Sequence, residues 1–225
     1  MKWLFNFLTS SIGQKVLMSL TGLFLCTFLV VHMAGNLQLF VDEDGKAFNA
    51  YAKFMTSSPL IKTVSYGLYL MILLHAFKGI GLWMYNRKAR GGSYRGKDVP
   101  KTELSFAARN MAYLGMIIFA FLGLHMAQFW GKMHFGTVPL DQYGNKDLFL
   151  LVSQAFKDPI VVVVYLLSLV ALSLHLLHGF QSAFQTLGLH HKKYTPLIKG
   201  LGYVFSIVIP LGFASMPVYF LVKSV

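Results

Sequence analysis

The chain has little of what soluble enzymes are built from. Its single cysteine, Cys26, excludes an intramolecular disulfide framework, a Cys-ligated zinc site and an iron–sulfur cluster held by this chain alone. Charged residues are 12% of the 225, where a soluble domain carries roughly 25%. Only 8 residues are acidic, which leaves few carboxylates for general acid–base chemistry. The apolar runs are continuous and lack the alternation of a membrane β-barrel. There is no low-complexity tract, and no stretch between the runs is long enough for a separate soluble domain. The chain reads as one domain, 1–225.

What is present is apolar bulk: 56% hydrophobic residues, 15% aromatic, with 20 Phe. A bilayer core of ~30 Å needs about 20 apolar residues in a helix. Five runs qualify: Ile12–Phe40, Pro59–Asn86, Ser105–Trp130, Pro159–Leu187 and Pro196–Leu221. The expected fold is all-α, a polytopic bundle of five transmembrane helices in a lipid bilayer. Pro59, Pro159 and Pro196 stand where a first helical turn tolerates proline. Pro210 and Pro217 fall inside the fifth run and predict kinks. The N-terminus, with Lys2 and Lys15 before an apolar run, has the outline of a signal peptide. The run is too long for one, however, and His32-Met33-Ala34-Gly35-Asn36 stands where a small-residue cleavage site belongs, so it is read as a span.

A net charge of +12 could point to nucleic acid, but the cations cluster between the apolar runs and the reading is a membrane protein without a nucleic-acid partner. With the N-terminus in the cytoplasm, the inner segments hold twelve of the 20 Lys and Arg against only Asp98 and Glu103. The outer segments hold seven cations against the six remaining acids, and Lys78 lies within a span. That asymmetry predicts an N-in, C-out orientation. The basic loop from Arg87 to Lys101 serves either topology control or docking of a soluble partner or anionic headgroups.

Ionisable residues within spans are costly and point to function. His32, His75, His125, His175 and His178 lie in spans. His134, His190 and His191 lie in loops and read as ordinary polar residues. His32 and His125 each stand 20 residues beyond the inner start of their runs, a rise of about 30 Å toward the outer side. His75 and His175 each stand 12 residues before the inner end of theirs, about 18 Å up. The four sort into an outer pair, His32 with His125, and an inner pair, His75 with His175. Glycines repeat the pairing. Gly22 and Gly115 stand ten residues before His32 and His125, and Gly79 and Gly179 four residues after His75 and His175. A glycine at i+4 shares the histidine's face and would let a flat macrocycle approach the backbone. Gly22 and Gly115 fall near the level of the inner pair and could make room for a second macrocycle. Packing glycines of ordinary membrane helices are the plain alternative.

Two opposed imidazoles at each of two depths suit haem iron, whose axial positions take one histidine from each side. Zinc would draw three or four ligands to one depth. Full axial ligation favours electron transfer over oxygen chemistry. His178, about 60° round the helix from His175, cannot share its axial position. It is assigned to a propionate, a backbone group or a neighbouring helix. Lys78 is its counterpart in the second span, either snorkelling to the interface or pairing with a propionate.

The segments SIGQKVLMSLTGLFLCTFLVVHMAGNLQLF, KAFNAYAKFMTSSPLIKTVSYGLYLMILLHAFKG and HLLHGFQSAFQTLG resemble the cytochrome b membrane-anchor subunit of succinate dehydrogenase and fumarate reductase, in its single-chain, five-helix, two-haem form. The resemblance covers nearly the whole chain, and Thr21-Gly22 before His32 and His175-x-x-x-Gly179 are its strongest elements. It implies two haem b groups ligated by His32, His75, His125 and His175. It implies a flavoprotein subunit and an iron–sulfur subunit docked on the cytoplasmic face of a bacterial inner membrane, with electrons passing to a membrane quinone, often menaquinone. The dicarboxylate chemistry of such an enzyme belongs to the partner subunit, and the resemblance leaves open whether the complex dimerises. It also implies a propionate contact for Ser19. The acidic residue that some relatives use for protons near the outer end of the second span has no counterpart here. Asn36, Gln38, Asn49, Tyr51, Gln128 and Trp130 are the candidates for the quinone site. Two other readings stand beside this one: a transmembrane b-type cytochrome without dehydrogenase partners, and a non-haem transporter or anchor.

Overall fold

The computed structural model describes residues 2–89 and 106–224. Among them the chain is helical, apart from loops and one isolated bridge between Leu140 and Lys146. In order come α1 (Lys2–Thr9), α2 (Ser11–Asn36), a 3-10 turn (Leu37–Phe40), α3 (Lys46–Ser57), α4 (Pro59–Ala89) and α5 (Phe106–His125). A π-helical turn (Met126–Gly131), α6 (Lys132–Phe135), α7 (Leu148–Ala155), α8 (Pro159–Thr186) and α9 (Thr195–Lys223) follow.

Five stretches are long and apolar enough to cross a membrane: Ser11–Phe40, Pro59–Ala89, Phe106–Phe135, Pro159–Thr186 and Thr195–Lys223. They coincide with the five runs read from the sequence, with ends shifted by a few residues. Arg87 and Lys88 form the last turn of α4. Ser105 and the rest of the basic loop, Arg90 to Lys101, lie outside the described residues.

Local chemistry sets the helix starts. The Ser10 side chain accepts the Gly13 N–H at the head of α2. Asp158 accepts from the Ile160 N–H, and Pro159 fills the first position of α8, where a missing N–H costs nothing. Asp147 caps α7 in the same way through Leu150 N–H.

The core is concentrated at one end of the bundle. There Leu39, Phe48, Val152, Phe156, Val162, Tyr165, Met216 and Phe220 form one buried cluster under α3 and α7. Helix α8 is central, packed against α2, α5 and α9, while α4 leans on α2 and less on α5. Helix α4 has no fully buried residue. Its outward side chains, such as Phe77 (62% exposed) and Leu70, are apolar, as a lipid-facing surface requires.

Helix α9 runs through both internal prolines, which are buried. Pro210 has no N–H for the Ser206 carbonyl four residues earlier. That carbonyl accepts instead from the Ser173 hydroxyl of α8, at 2.7 Å. A hydroxyl from a neighbouring helix thus satisfies the freed backbone group, as apolar surroundings demand.

Candidate functional site

The bundle brings the intramembrane histidines together in twos. His32 of α2 faces His125 of α5, with ring centroids 6.0 Å apart and planes at 87°. His75 of α4 faces His175 of α8, with centroids 6.3 Å apart and planes at 70°. Each pair joins two different helices, and each of the four helices contributes one ring. Gly22, ten residues before His32 on α2, lies against His75, so the two pairs are separated by about 15 Å along that helix.

The surroundings of the rings recur in the two halves. A β-carbon at Gly22 would stand 3.2 Å from His75 Cε1, and one at Gly115 would stand 3.4 Å from His175 Cε1. A β-carbon at Gly79 would meet Met18 Cε at 3.4 Å, and one at Gly179 would meet Met111 Cε at 3.2 Å. Gly22 and Gly115 therefore make room for the edges of the inner imidazoles, while Gly79 and Gly179 receive methionine methyl groups. Phe28, four residues before His32, stacks on it at 5.1 Å, and Phe121, four before His125, tilts against it at 5.9 Å.

The repetition is written in the sequence. Met18, Gly22, Phe28, Leu29, His32, Met33 and Ala34 of α2 each recur 93 residues later, in α5 and the start of the π-turn. Pro59, Val64, Leu74, His75 and Gly79 of α4 recur 100 residues later in α8. The matched glycine offsets are the visible part of this longer repeat.

Side chains meet the Nδ1 atoms of the rings. Thr21 Oγ1 lies 3.0 Å from His75 Nδ1. Tyr165 Oη lies 3.2 Å from His125 Nδ1 and donates to Gln128 Oε1 at 2.8 Å. Asn36 Nδ2 bonds the His32 carbonyl at 2.8 Å and reaches its Nδ1 only at 3.4 Å. His175 Nδ1 is buried, faces the Met111 carbonyl and makes no hydrogen bond of good geometry. In the sequence reading Thr21 enters only as part of the Thr21-Gly22 motif, without an assigned role, and Tyr165 is not singled out. A hydroxyl within each apolar run was the available signal.

The remaining predicted residues are placed as follows. Ser19 is buried on α2 and donates to the Lys15 carbonyl at 3.0 Å. Lys78 and His178 are partly buried, and neither forms a hydrogen bond or ion pair among the described residues. Of the quinone-site candidates, Asn49 is buried and ties α3 to the loop before α7 through Asp141, Asp147 and the Phe149 N–H. Tyr51 packs on Gly35, and Trp130 meets Tyr69 and stacks on His134. Gln128 stands apart. The π-turn that begins right after His125 carries it to the rim of a cavity of about 270 Å³, lined also by Lys132, Leu151, Gln154, Ala155, Asp158 and Val161.

No group of three or more His, Cys, Asp or Glu side chains placed to hold a metal occurs among the described residues. What the arrangement could do is two-fold at each depth: two imidazoles that would hold one metal between them. With a metal–nitrogen bond of about 2 Å and a ring centre about 1 Å behind the nitrogen, such imidazoles have centroids about 6 Å apart. Both pairs meet that spacing. Fold and site define a five-span helical protein with two facing-histidine sites. Compared with protein-family models, curated proteins and solved structures, the chain matches none.

Proposed function

We propose that this chain is the haem-bearing membrane anchor of a succinate:quinone oxidoreductase, in the bacterial inner membrane with its N-terminus in the cytoplasm. One observation carries the reading: four helices present two pairs of facing imidazoles at 6.0 and 6.3 Å, about 15 Å apart along the bundle. His32 with His125, and His75 with His175, would each hold one haem b, and two ligands per site suit iron porphyrin better than zinc.

The haems would supply reversible one-electron chemistry between a partner's iron–sulfur centre and a membrane quinone. The chain's own work is to hold and surround them. His32 with His125 and His75 with His175 would hold the two groups, and the Phe28, Phe121 and Phe213 rings pack against His32 and His125, where they would exclude water. Gly22 and Gly115 let α2 and α5 close on the inner pair. The cavity beside Gln128, Lys132 and Asp158 offers donors and acceptors to a quinone headgroup at the outer end. Basic residues flanking the inner ends, Arg87 and Lys88 among them, suit a docked flavoprotein and iron–sulfur pair.

The test is purification from membranes in mild detergent, with reduced-minus-oxidised spectroscopy. A b-type α-band, two haems per chain and a co-isolated flavoprotein and iron–sulfur protein are expected. A lone two-haem protein would make it a cytochrome without these partners, and a chain with no haem spectrum would leave it a transporter or anchor.

A further inference from the structure

We propose that Thr21 and Tyr165 are positioning residues: each fixes the tautomer of one histidine, one per pair, and thereby sets the redox balance of that site separately. The inference rests on the reading that each pair holds a haem.

A hydroxyl has one hydrogen to give. Thr21 Oγ1 is 2.8 Å from the Leu17 carbonyl and 3.1 Å from the Met18 carbonyl, which can only accept. With its hydrogen committed there, Oγ1 can only accept from His75 Nδ1, so that nitrogen carries the ring proton. Tyr165 gives its hydrogen to Gln128 Oε1 at 2.8 Å and likewise accepts from His125 Nδ1. In both rings the lone pair is left on Nε2, the form that ligates a metal. Both hydroxyl residues are buried, at 2% and 7% exposure, so water does not compete.

The opposite ring of each pair has no accepting hydroxyl. His175 Nδ1 faces only the Met111 carbonyl, without a hydrogen bond of good geometry, as His75 also faces the Met18 carbonyl, and Asn36 offers His32 Nδ1 only a distant donor. The repeat shows where the difference arises. The residue 93 positions after Thr21 is Leu114, which is buried and has no hydroxyl to offer His175. The residue 100 positions before Tyr165 is Ser65, whose hydroxyl bonds the Ile61 carbonyl of its own helix. Each duplicated framework keeps one accepting hydroxyl, on opposite halves and at opposite depths.

A ring whose Nδ1–H is held by an oxygen is a more basic ligand and favours the oxidised metal. Removing the oxygen should favour reduction at that site alone. The experiment is a redox titration of the purified protein with both haems, whose components are assigned with single-histidine variants. Thr21→Val should raise the reduction equilibrium of the inner haem by up to about tenfold, which is about 59 mV for one electron. Tyr165→Phe should do the same for the outer haem, and Thr21→Ser should restore the wild-type value. Gln128→Leu, which leaves every ring in place, frees the Tyr165 hydrogen and should also move the outer haem, providing a second probe should Tyr165→Phe fold poorly. Two bound haems with unchanged potentials, or equal shifts of both in each variant, would overturn this inference while leaving the haem reading intact. A wild-type chain without haem would overturn both.

Discussion

The α-carbon of Gly22 lies against the imidazole of His75, so close that a β-carbon would stand 3.2 Å from Cε1. The matching separation between Gly115 and His175 is 3.4 Å, an ordinary van der Waals distance. A ring buried between helices has little room to yield, and overpacking costs about 1–3 kcal/mol. Gly22→Ala should therefore perturb the inner site more than Gly115→Ala, and Gly22→Val should empty it. Haem content per chain and thermal unfolding in detergent measure this. Equal effects of the two alanine variants would mean that the glycine–imidazole contact is not what these positions provide.

The hydrogen bond from Ser173 to the Ser206 carbonyl predicts a coupling between two helices. Ser173→Ala leaves that carbonyl unpaired in an apolar setting, at a cost of about 1 kcal/mol. In Pro210→Ala the restored N–H can serve the carbonyl from within α9. Ser173→Ala should then cost less in the Pro210→Ala background than in the wild type. A double-mutant cycle of unfolding in mixed micelles checks this, and strictly additive effects would sever the link between Ser173 and the proline.

The loop between α6 and α7 carries its own pH dependence. Desolvation pushes the Asp141 carboxyl up. The backbone N–H groups of Asn145 and Tyr143, with the side-chain amides of Asn145 and Asn49, outweigh this and hold it below the ordinary carboxylate range. A depressed folded-state value contributes stability that is complete above the unfolded value, about 4, and is lost as pH falls through the folded one. Protection from hydrogen exchange around Asn49 and Asn145, relative to the intrinsic rate at each pH, should fall below about pH 4, and Asp141→Asn should flatten that dependence. An acid response unchanged by Asp141→Asn would assign it to another group.

The five spans and the sorting of four histidines by depth were legible because both rest on fixed helical rise and on the cost of ionisable groups in lipid. Other features depend on how helices turn toward one another. That Thr21 meets His75, and Tyr165 meets His125, follows from helix rotation, which linear spacing does not encode. The glycines were legible as a pattern but not in what they face: imidazole edges for Gly22 and Gly115, methionine methyls for Gly79 and Gly179. The π-turn after His125 left no mark, since Met126–Gly131 reads as an ordinary apolar continuation of α5. The short helices α3 and α7 were hidden for a similar reason, being 12 and 8 residues long between much stronger apolar signals.

His178 offers a sharp control on the ligand assignment. It stands three residues from His175, one helical step round the same helix, and is partly buried with no hydrogen bond among the described residues. Only His175 has its ring opposite His75. His175→Gly and His75→Gly should each reduce the haem content from two to one per chain, whereas His178→Gly should leave it at two. Because glycine leaves a hole the shape of the lost ring, added imidazole should restore the missing spectrum in His75→Gly and His175→Gly. It should change nothing in His178→Gly. Restoration in the His178 variant, or two haems in the His175 variant, would reverse the assignment and place the inner axial bond one helical step away from the face that meets α4.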